Sequence, residues 1–445
     1  MNKTSISQII DEIGISKYTF KVYLLVGLTL IFCGFSYMII SYTMPQMAAE
    51  WSLTKVQTGS LASWSLLGLM IGGMIAGVIS DRIGRKKSLA IFTLVFSLLT
   101  FPIYFVNSFE AFAILRILGG IGFGACIPIA ITLMAENVPT KNRGFFTSSI
   151  MSFYVIGWVV AGIAAIYVVP AYGWRVVYLI GGIPALYAFI LLATLLESPH
   201  WLLGKGRENE AIKVIQSIER VAKGKANEYA PGCLVIPSPP NKVGVSALFS
   251  PGYRKTSLTL WIIYFMGSVV IYGINGWLPT LLVGKGYGLV KGYSFAVLQN
   301  VFGAIGGFVT GYMADIIGRK TNSIMGWATT AVSVILLGVA SNQWQVVVCG
   351  ALVGFAMNYG LSGTQPLLAE AYPTEFRSTG VSWAQSFGRV GGFLSPILAG
   401  YVQQIGVGFT GIFVFFAVPA VIAALMAIFV TETKGKSIES VNVKA

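Results

Sequence analysis

Long apolar runs, separated by shorter polar segments, are the dominant pattern of the chain. A helix needs about 20 apolar residues to cross a bilayer, and twelve runs reach that length. They form two sets of six, at 22–44, 57–80, 88–106, 111–135, 146–169 and 174–196, and at 256–283, 293–314, 321–340, 345–370, 379–403 and 409–431. Backbone groups in hydrocarbon must find partners within their own segment. The pattern therefore predicts an all-α membrane protein with twelve transmembrane helices in two pseudo-symmetric six-helix bundles.

The polar segments divide the chain into five predicted parts. The first segment has mixed charge and a helical pattern, without the short apolar core and cleavage site of a signal peptide, so it is predicted to be retained. Residues 206–223 have helical periodicity, and 231–244 are rich in Pro and Gly, as is typical of a linker. The predicted parts are a lead-in at 1–21, bundles at 22–196 and 256–431, a linker with short helices at 197–255, and a tail at 432–445.

Composition and charge placement agree with a membrane protein. Apolar residues make up 55% of the chain and charged residues 10%, and the mean hydropathy is +0.76. With the amino terminus inside, 24 Lys and Arg residues fall in cytoplasmic segments and four in outer segments. By the positive-inside rule, we expect a multi-pass protein of the inner (plasma) membrane with both termini in the cytoplasm. The net charge of +14 therefore needs no nucleic-acid partner to explain it.

Two compound motifs occur twice at a constant separation of 234 residues. The segment DRIGRK at 81–86 corresponds to DIIGRK at 315–320, and AENVPTKNR at 135–143 corresponds to AEAYPTEFR at 369–377. Chance does not readily produce two such matches at one offset, so the repetition indicates an internal duplication of the six-helix unit.

Both motifs are predicted at the cytoplasmic ends of helices, where charged pairs can form and break as two bundles move. We expect Glu136 to pair with Arg143 and Glu370 with Arg377, and each motif Asp to receive a helix amino terminus or an Arg. The alternative is that these residues are only positive-inside charges with turn glycines. The predicted inside-face gating network contains Asp81, Arg85, Glu136, Arg143, Glu197, Asp315, Arg319, Glu370, Arg377 and Glu432.

These motifs resemble the major facilitator superfamily over almost the whole chain. DRIGRKK at 81–87 looks like the signature of its loop 2–3, with a second copy at 315–320, and RILGGIGFGACIP at 116–128 is similar to the helix 4 motif of proton-linked members. ESPHWLLGKGR at 197–207 and ETKG at 432–435 resemble the sequences after helices 6 and 12 in sugar porters and organic-ion transporters. The resemblance implies the major facilitator fold and transport by alternating access.

Three shorter segments are similar to the bacterial aromatic-acid and niacin transporters of that superfamily: WLPT at 277–280, EAYPTEFRSTG at 370–380 and SFGRVGG at 386–392. Two departures matter. Helix 1 has CGFS at 33–36, where the aromatic-acid pattern carries two acids, and this puts family-style proton coupling in doubt. His200 replaces the usual Arg after Ser-Pro, which is expected to weaken one inside-face pair.

Two arginines lie within the predicted spans, whereas all sixteen acidic residues lie in loops or at helix ends. Counted from residue 379, Arg389 is about 15 Å into helix 11, near the middle of a core about 30 Å thick. Such a charge is costly unless it is paired or hydrated. We interpret Arg389 as the counter-ion of an anionic substrate held by its guanidinium fork; the alternative is bonding to carbonyls of broken helices. Arg116 is a second membrane cation, or it snorkels outward.

Polar and aromatic residues at comparable depth are predicted to line the rest of a central cavity. Each alone is compatible with ordinary helix packing, but together they suit a planar acid. The predicted lining residues are Tyr37, Tyr154, Tyr272, Asn275, Gln299, Asn300, Asn358, Tyr359, Gln365 and Gln385. Close helix contacts without chemistry are predicted at the glycine pairs Gly68/Gly72, Gly73/Gly77 and Gly307/Gly311.

The leading hypothesis is secondary transport of a small organic anion, an aromatic or heterocyclic monocarboxylate. Proton symport, uniport and anion exchange stay open, and the alternatives are a sugar or polyol transporter of the same fold and a non-transporting membrane sensor. An enzyme would need a nucleophile, metal cluster or paired carboxylates at membrane depth, which the sequence does not indicate. Four unpaired cysteines and one His predict no metal and no cofactor. We expect a monomer in the lipid bilayer.

Overall fold

A computed structural model of the protein describes residues 4–230, 232–235, 245–373 and 377–433. Helices dominate the first half of the chain. In order, its elements are β1 (Thr4–Ser5), α1 (Ile6–Ile13), α2 (Lys17–Glu50), α3 (Lys55–Ile83), α4 (Arg85–Thr100) continued by a 3-10 turn (Phe101–Phe105), α5 (Phe109–Glu136), a 3-10 turn (Thr140–Asn142), α6 (Arg143–Tyr172), α7 (Val176–Ile180) and α8 (Pro184–Thr194).

Short elements then precede a second series of long helices. These elements are α9 (Pro199–Gly204), α10 (Glu208–Lys223), β2 (Leu234–Val235), a 3-10 turn (Val245–Phe249), α11 (Arg254–Gly284), α12 (Leu289–Ile317), α13 (Arg319–Val339), α14 (Gln343–Glu370), α15 (Arg377–Gln404) and α16 (Gly408–Ile428). The Pro- and Gly-rich prediction at 231–244 and the tail at 432–445 lie largely outside the described residues.

Eleven of the described helical segments are long and apolar enough to cross a membrane. One of them joins α4 to the 3-10 turn that follows it, and another joins α7 to α8 across a short break. The predicted helix 11 corresponds to α15, which has 28 residues. It is less apolar than the others because it contains Gln385, Ser386 and Arg389. The described structure thus contains helical structure at each of the twelve predicted positions, as one helix or as two consecutive pieces.

Large apolar side chains remain exposed along the spans. Leu186 on α8 is 72% exposed and Phe308 on α12 is 63% exposed. In water such surfaces would favour aggregation, whereas hydrocarbon solvates them without cost. The exposed apolar residues therefore fit a lipid-facing surface.

The predicted lead-in and linker are not separate, because their helices share one small apolar core. Ile6, Ile9 and Ile10 of α1 pack with apolar residues of α9, α10 and β2. Thr4 and Ser5 pair in parallel with Leu234 and Val235. Each short helix has an apolar stripe that it cannot bury alone. The two segments therefore stabilise each other, which the linear pattern did not predict.

The chain folds into two compact units that do not coincide with its two halves. Among the described residues, the first unit lies within Met1–Tyr37, Leu67–Ala161 and Arg175–Pro239. The second unit lies within Met38–Leu66, Gly162–Trp174 and Pro240–Ala445. Helices α2, α3 and α6 therefore contribute to both units, and the division into bundles at 22–196 and 256–431 stays a prediction.

The glycine predictions are partly correct. A Cβ at Gly68 would lie 2.1 Å from the Ile117 carbonyl oxygen, and one at Gly72 would lie 2.1 Å from that of Ile121, so α3 and α5 do approach closely. Gly77 and Gly311, in contrast, have no neighbouring atom within 4 Å of such a Cβ. Those two positions were wrongly predicted as close helix contacts, because the Cβ position of each faces open space among the described residues.

Candidate functional site

The turn between α3 and α4 brings four charged residues together. Gly84 forms this turn with a φ of 106°, which side chains other than hydrogen rarely allow. A Cβ there would also lie 2.2 Å from Glu197 Oε2. Glu197 Oε1 accepts hydrogen bonds from the backbone N–H groups of Arg85 (2.8 Å) and Lys86 (3.0 Å). This carboxylate therefore caps the positive amino terminus of α4.

Arg85 links that cap to the ends of two other helices. Its Nη1 lies 2.6 Å from Asp81 Oδ1, one helical turn earlier, and its Nε lies 3.4 Å from Glu136 Oε1 at the end of α5. Asp81 remains exposed, whereas Arg85 and Glu136 are largely buried. We call Asp81, Arg85, Glu136 and Glu197 the first rim cluster.

The second copy of the motif builds the same arrangement. Arg319 Nη2 lies 2.9 Å from Asp315 Oδ1, and its Nε lies 3.3 Å from Glu370 Oε1. Glu432 accepts hydrogen bonds from the backbone N–H groups of Arg319 (3.0 Å) and Lys320 (3.1 Å). Asp315, Arg319, Glu370 and Glu432 form the second rim cluster. The repeated sequence motif thus forms the same hydrogen-bond geometry twice. Glu197 after α8 completes the first cluster, and Glu432 after α16 completes the second.

The predicted partners of the two helix-end glutamates were wrong. Glu136 and Glu370 pair with Arg85 and Arg319, not with Arg143 and Arg377. The Arg377 Nε instead donates to the Tyr372 carbonyl oxygen at 3.2 Å. Closeness along the chain favoured the later arginines, but the turns after α3 and α12 place other arginines against the ends of α5 and α14.

His200 lies next to the first rim cluster and contacts α1. Its Nε2 is 3.3 Å from the Ser7 hydroxyl. Burial, together with the nearby positive charges of Arg143 and Arg85, lowers the pKa of His200 to about 4. The ring is therefore neutral at neutral pH and adds no charge to this face.

Arg389 is the predicted substrate residue with the most available hydrogen-bond donors. Its side chain is half-buried, and no described residue forms a hydrogen bond or ion pair with it. Gln385, one helical turn earlier, donates from Nε2 to Gln365 Oε1 at 3.3 Å. Tyr272 on α11 is close enough to interact electrostatically with Arg389 and packs against the backbone at Gly392. The guanidinium, two amides and a phenol ring therefore belong to one region of the second unit.

The other predicted residues of the second unit bond mainly between or within helices. Asn275 and Gln299 are joined by a 3.2 Å hydrogen bond between α11 and α12, and Gln299 Oε1 has no partner among the described residues. Asn358 donates to the Gly354 carbonyl oxygen at 3.3 Å. The Tyr359 hydroxyl donates to Asn322 on α13. The Gln299 Oε1 atom is therefore buried and available to a further hydrogen-bond donor.

Asn300 also lies in the second unit, where its amide is 3.5 Å from the hydroxyl of Tyr42 on α2. The ring of Tyr42 packs edge-on against Tyr293 at a centroid distance of 5.4 Å. Asn300 is therefore part of a helix–helix contact between α2 and α12.

Arg116 occupies a different environment, in the first unit. It is only 2% exposed, and its Nη2 donates to the Ser36 carbonyl oxygen at 2.6 Å. Tyr37, Tyr154 and Tyr178 lie close enough to interact with it electrostatically. Snorkelling is therefore not the conformation observed, because the side chain is enclosed by helices.

Tyr37 and Tyr154 belong to an aromatic cluster that includes a residue missed by the sequence analysis. Their rings stack at 6.4 Å with an interplanar angle of 26°. Trp158 lies 5.6 Å from Tyr154 and 6.0 Å from Tyr37. Trp158 is one turn after Tyr154 on α6, so the spacing i, i+4 could have identified it. The same rule of polar residues in spans could have found Asn322, which donates to Thr310 at 2.8 Å.

Within the described residues, no group of three or more His, Cys, Asp and Glu side chains could hold a metal ion. The groups at the described site are guanidinium groups, amides, phenols and aromatic faces, which can bind and orient a ligand.

Comparison with known proteins gives consistent results for the sequence and the fold. The Major Facilitator Superfamily profile matches residues 26–306 and 294–444. The niacin transporter NiaP of Acinetobacter baylyi is 32% identical over 97% of this chain and 98% of its own length, and the gallate transporter of Pseudomonas putida is 33% identical over 94% and 92%. The partially occluded, inward-open xylose transporter XylE of E. coli matches with a TM-score of 0.75 at 20% identity, covering 95% of this chain and all of XylE.

The XylE comparison confirms the predicted fold class, and the sequence comparisons confirm the resemblance carried by the motifs. A profile match over almost the whole chain and relatives above 30% identity together establish the family. The chain belongs to the Major Facilitator Superfamily and is a multi-pass membrane transporter, not an enzyme.

Proposed function

We propose that the protein moves a small organic anion, an aromatic or heterocyclic monocarboxylate, across the bacterial inner membrane by alternating access. The observation that carries this proposal is the Arg389 guanidinium, which lies on α15, the helix at the eleventh predicted span, and has no carboxylate partner among the described residues. A buried cation is costly when unpaired, and a substrate carboxylate would neutralise it with two parallel hydrogen bonds. Niacin and gallate, named for two relatives, are both aromatic carboxylates.

The surroundings of Arg389 support this substrate class. Gln365 and Gln385 supply amides and Tyr272 supplies an aromatic face within the same unit. Aromatic faces with a few placed donors are typical of sites for planar ligands. A sugar site would use many neutral hydrogen bonds and would leave the guanidinium unpaired.

Orientation, gating and oligomeric state form part of the same proposal. The distribution of basic residues supports cytoplasmic termini and a cytoplasmic position for the rim clusters. We assign the clusters to gating, since pairs with one exposed carboxylate can rearrange at small cost. We propose that protons cross the membrane only when they are bound to the substrate itself. The protein is proposed to work as a monomer.

The substrate class is tested by thermal-shift measurements on purified protein with niacin, gallate, benzoate, an aliphatic monocarboxylate and xylose. We expect stabilisation by the aromatic carboxylates and none by xylose. Arg389→Ala should abolish the ligand-dependent shift, and Arg389→Lys should keep part of it, because Lys supplies charge without the planar fork. Arg220→Ala, an exposed arginine on α10, serves as the control. Equal ligand-dependent shifts in wild type and Arg389→Ala would rule out the anion site.

A further inference from the structure

A cavity of about 420 Å³ lies in the first unit, beside the first rim cluster. It is bounded by the start of α4, the end of α8, and α9 and α10. Basic side chains outnumber acidic ones in its lining, and the rest is apolar or aromatic. The lining residues are Lys86, Lys87, Leu192, Glu197, Trp201, Leu202, Arg207, Glu210, Lys213 and Val214.

The two carboxylates of the cavity are already engaged. Glu197 accepts the backbone N–H groups at the start of α4. Glu210 is held by Arg207 through two hydrogen bonds of 2.7 and 2.6 Å. In contrast, no described residue forms a hydrogen bond or ion pair with the amines of Lys86, Lys87 and Lys213. Glu210 also interacts electrostatically with Lys213 and Lys87, but the described residues leave the hydrogen bonds of these three positive charges unsatisfied.

Two of these charges, those of Lys87 and Lys213, are not required by the rim geometry, whereas Lys86 has a counterpart in Lys320 of the second cluster. The second copy of the motif forms the same cluster with Thr321 at the position of Lys87. Arg207 and Lys213 belong to α9–α10, a segment with no counterpart in the motif repeat. The basic cavity is therefore an addition to the first half of the chain, and a structural role in the repeated cluster does not explain it.

The cavity lies where a membrane helix meets the polar segment. Leu192 is near the end of the span Val176–Thr194, and Phe189 and Ile190 beside it are 60% and 48% exposed, as expected of a lipid-facing surface. Trp201 lines the cavity, with the Arg207 guanidinium 5.7 Å from the ring centroid. An aromatic residue and cations just beyond a lipid-facing helix end are typical of the head-group region.

We propose that this cavity binds a phosphate group and that an anionic phospholipid supplies it, with the acyl chains along the exposed surface of α8. Lys87 and Lys213 contact the phosphate, and Trp201 and Leu192 contact the glycerol and the upper acyl carbons. The proposal depends on the membrane fold but not on the identity of the transported substrate.

The test compares lipid binding by two variants of equal charge. Lys87→Gln/Lys213→Gln removes two lysines of the cavity, and Lys223→Gln/Lys225→Gln removes two exposed lysines outside it. Each protein is purified in detergent and titrated with phosphatidylglycerol, phosphatidylcholine, glycerol phosphate or inorganic phosphate, and bound lipid is measured by native mass spectrometry and thermal shift. We expect phosphatidylglycerol to bind wild type and the control variant, and the cavity variant to bind it about tenfold or more weakly.

Each outcome decides the proposal. Equal phosphatidylglycerol binding by the cavity and control variants would overturn the site. If phosphatidylcholine stabilised the protein as much as phosphatidylglycerol does, the cavity would not recognise the charge of the lipid. That result would overturn the assignment of an anionic phospholipid. Stabilisation by inorganic phosphate or glycerol phosphate as strong as by phosphatidylglycerol would overturn the lipid as its source.

Discussion

Two arginines within the predicted spans differ in how their charge is satisfied. Arg116 is enclosed by tyrosines and donates to a backbone carbonyl of α2, so its charge is solvated by the protein. Arg389 is half-buried without such a partner among the described residues. Depth in the membrane alone marks both as candidates. Only the surroundings separate a cation that holds helices together from one available to a ligand, and those surroundings are formed by residues distant in the sequence.

The depressed pKa of His200 makes its contact with α1 sensitive to acid. A freely exposed His has a pKa near 6.5, whereas the pKa of His200 is lowered to about 4. The undocked form therefore binds more protons between these values, and the docked form loses stability as pH falls from about 6.5 towards 4. Above about pH 6.5 the contact is fully stable.

We expect amide exchange in α1 to accelerate more in wild type than in His200→Gln when pH is lowered from 7.5 to 5. Gln can still hydrogen-bond with Ser7 but does not titrate. Hydrogen–deuterium exchange with mass spectrometry at each pH, normalised to the intrinsic rate, measures the difference. An identical pH dependence in the two proteins would show that His200 does not control docking.

Glycines decide where two helices of this protein can approach each other closely. A Cβ at Gly59 on α3 would lie 2.0 Å from the Pro396 carbonyl oxygen of α15, and one at Gly400 would lie 2.3 Å from the Lys55 carbonyl oxygen. Trp277 on α11 donates from its indole to the same Pro396 oxygen at 2.9 Å. These contacts lie in the second unit, at the ends of α3 and α15 that are distant from the rim motifs.

Gly59→Ala should therefore separate α3 from α15 and slow transport several-fold. It should also lower the thermal midpoint, since overpacking typically costs about 1–3 kcal/mol. Gly77→Ala on the same helix is the matched control, because its Cβ would meet no atom within 4 Å. Initial rates of niacin uptake into proteoliposomes and thermal midpoints are compared. Equal losses in both variants would mean that the contact with α15 is not responsible, since Ala has a higher helix propensity than Gly at both positions.

The rim clusters predict how two aspartate variants change turnover. Asp81 and Asp315 each use one oxygen to bind an arginine one turn away, and their side chains are 68% and 72% exposed. Exposed pairs contribute little to stability, so Asp81→Asn and Asp315→Asn should fold. If the clusters control the balance between states, turnover should fall several-fold while ligand affinity changes by less than about twofold.

Counterflow in proteoliposomes and ligand-induced thermal shifts measure those two quantities. Glu110→Gln, an exposed carboxylate outside the motifs, provides the comparison. Unchanged turnover in both aspartate variants would show that the motif sets only the orientation of the helices in the membrane and has no role in gating.

Features that depend on local sequence pattern could be predicted for this protein. Contacts between segments distant in the sequence could not. Apolar runs and basic residues at their ends predicted the helices, and the repeat at 81–86 and 315–320 predicted two equivalent clusters. The partners of Glu136 and Glu370 were wrong because the pairing crosses between helix ends. The core shared by α1 and α10 was missed because about 200 residues separate them. Neither feature leaves a periodic signal.

Energy coupling is the last property of the whole molecule that the structure helps to predict. The helix 1 segment that carries two acids in the aromatic-acid pattern has Cys33 and Ser36 here, and both are fully buried. Cys33 lies beside Cys126, and the Ser36 carbonyl oxygen receives Arg116. A carboxylate near an arginine can lose and regain a proton as a substrate binds, whereas a buried thiol or hydroxyl does not. We therefore expect a proton gradient to act only by protonating the substrate.

Counterflow of labelled against unlabelled niacin should then proceed in proteoliposomes without any gradient, and its rate should depend weakly on pH. Cys33→Asp should make the rate more pH-sensitive, because it restores a titratable group to helix 1. Cys349→Asp, at a half-buried cysteine on α14, controls for adding an acid elsewhere in the membrane. Strict one-to-one proton movement by wild type with a permanently charged substrate analogue would contradict this prediction, since such an analogue cannot carry the proton itself.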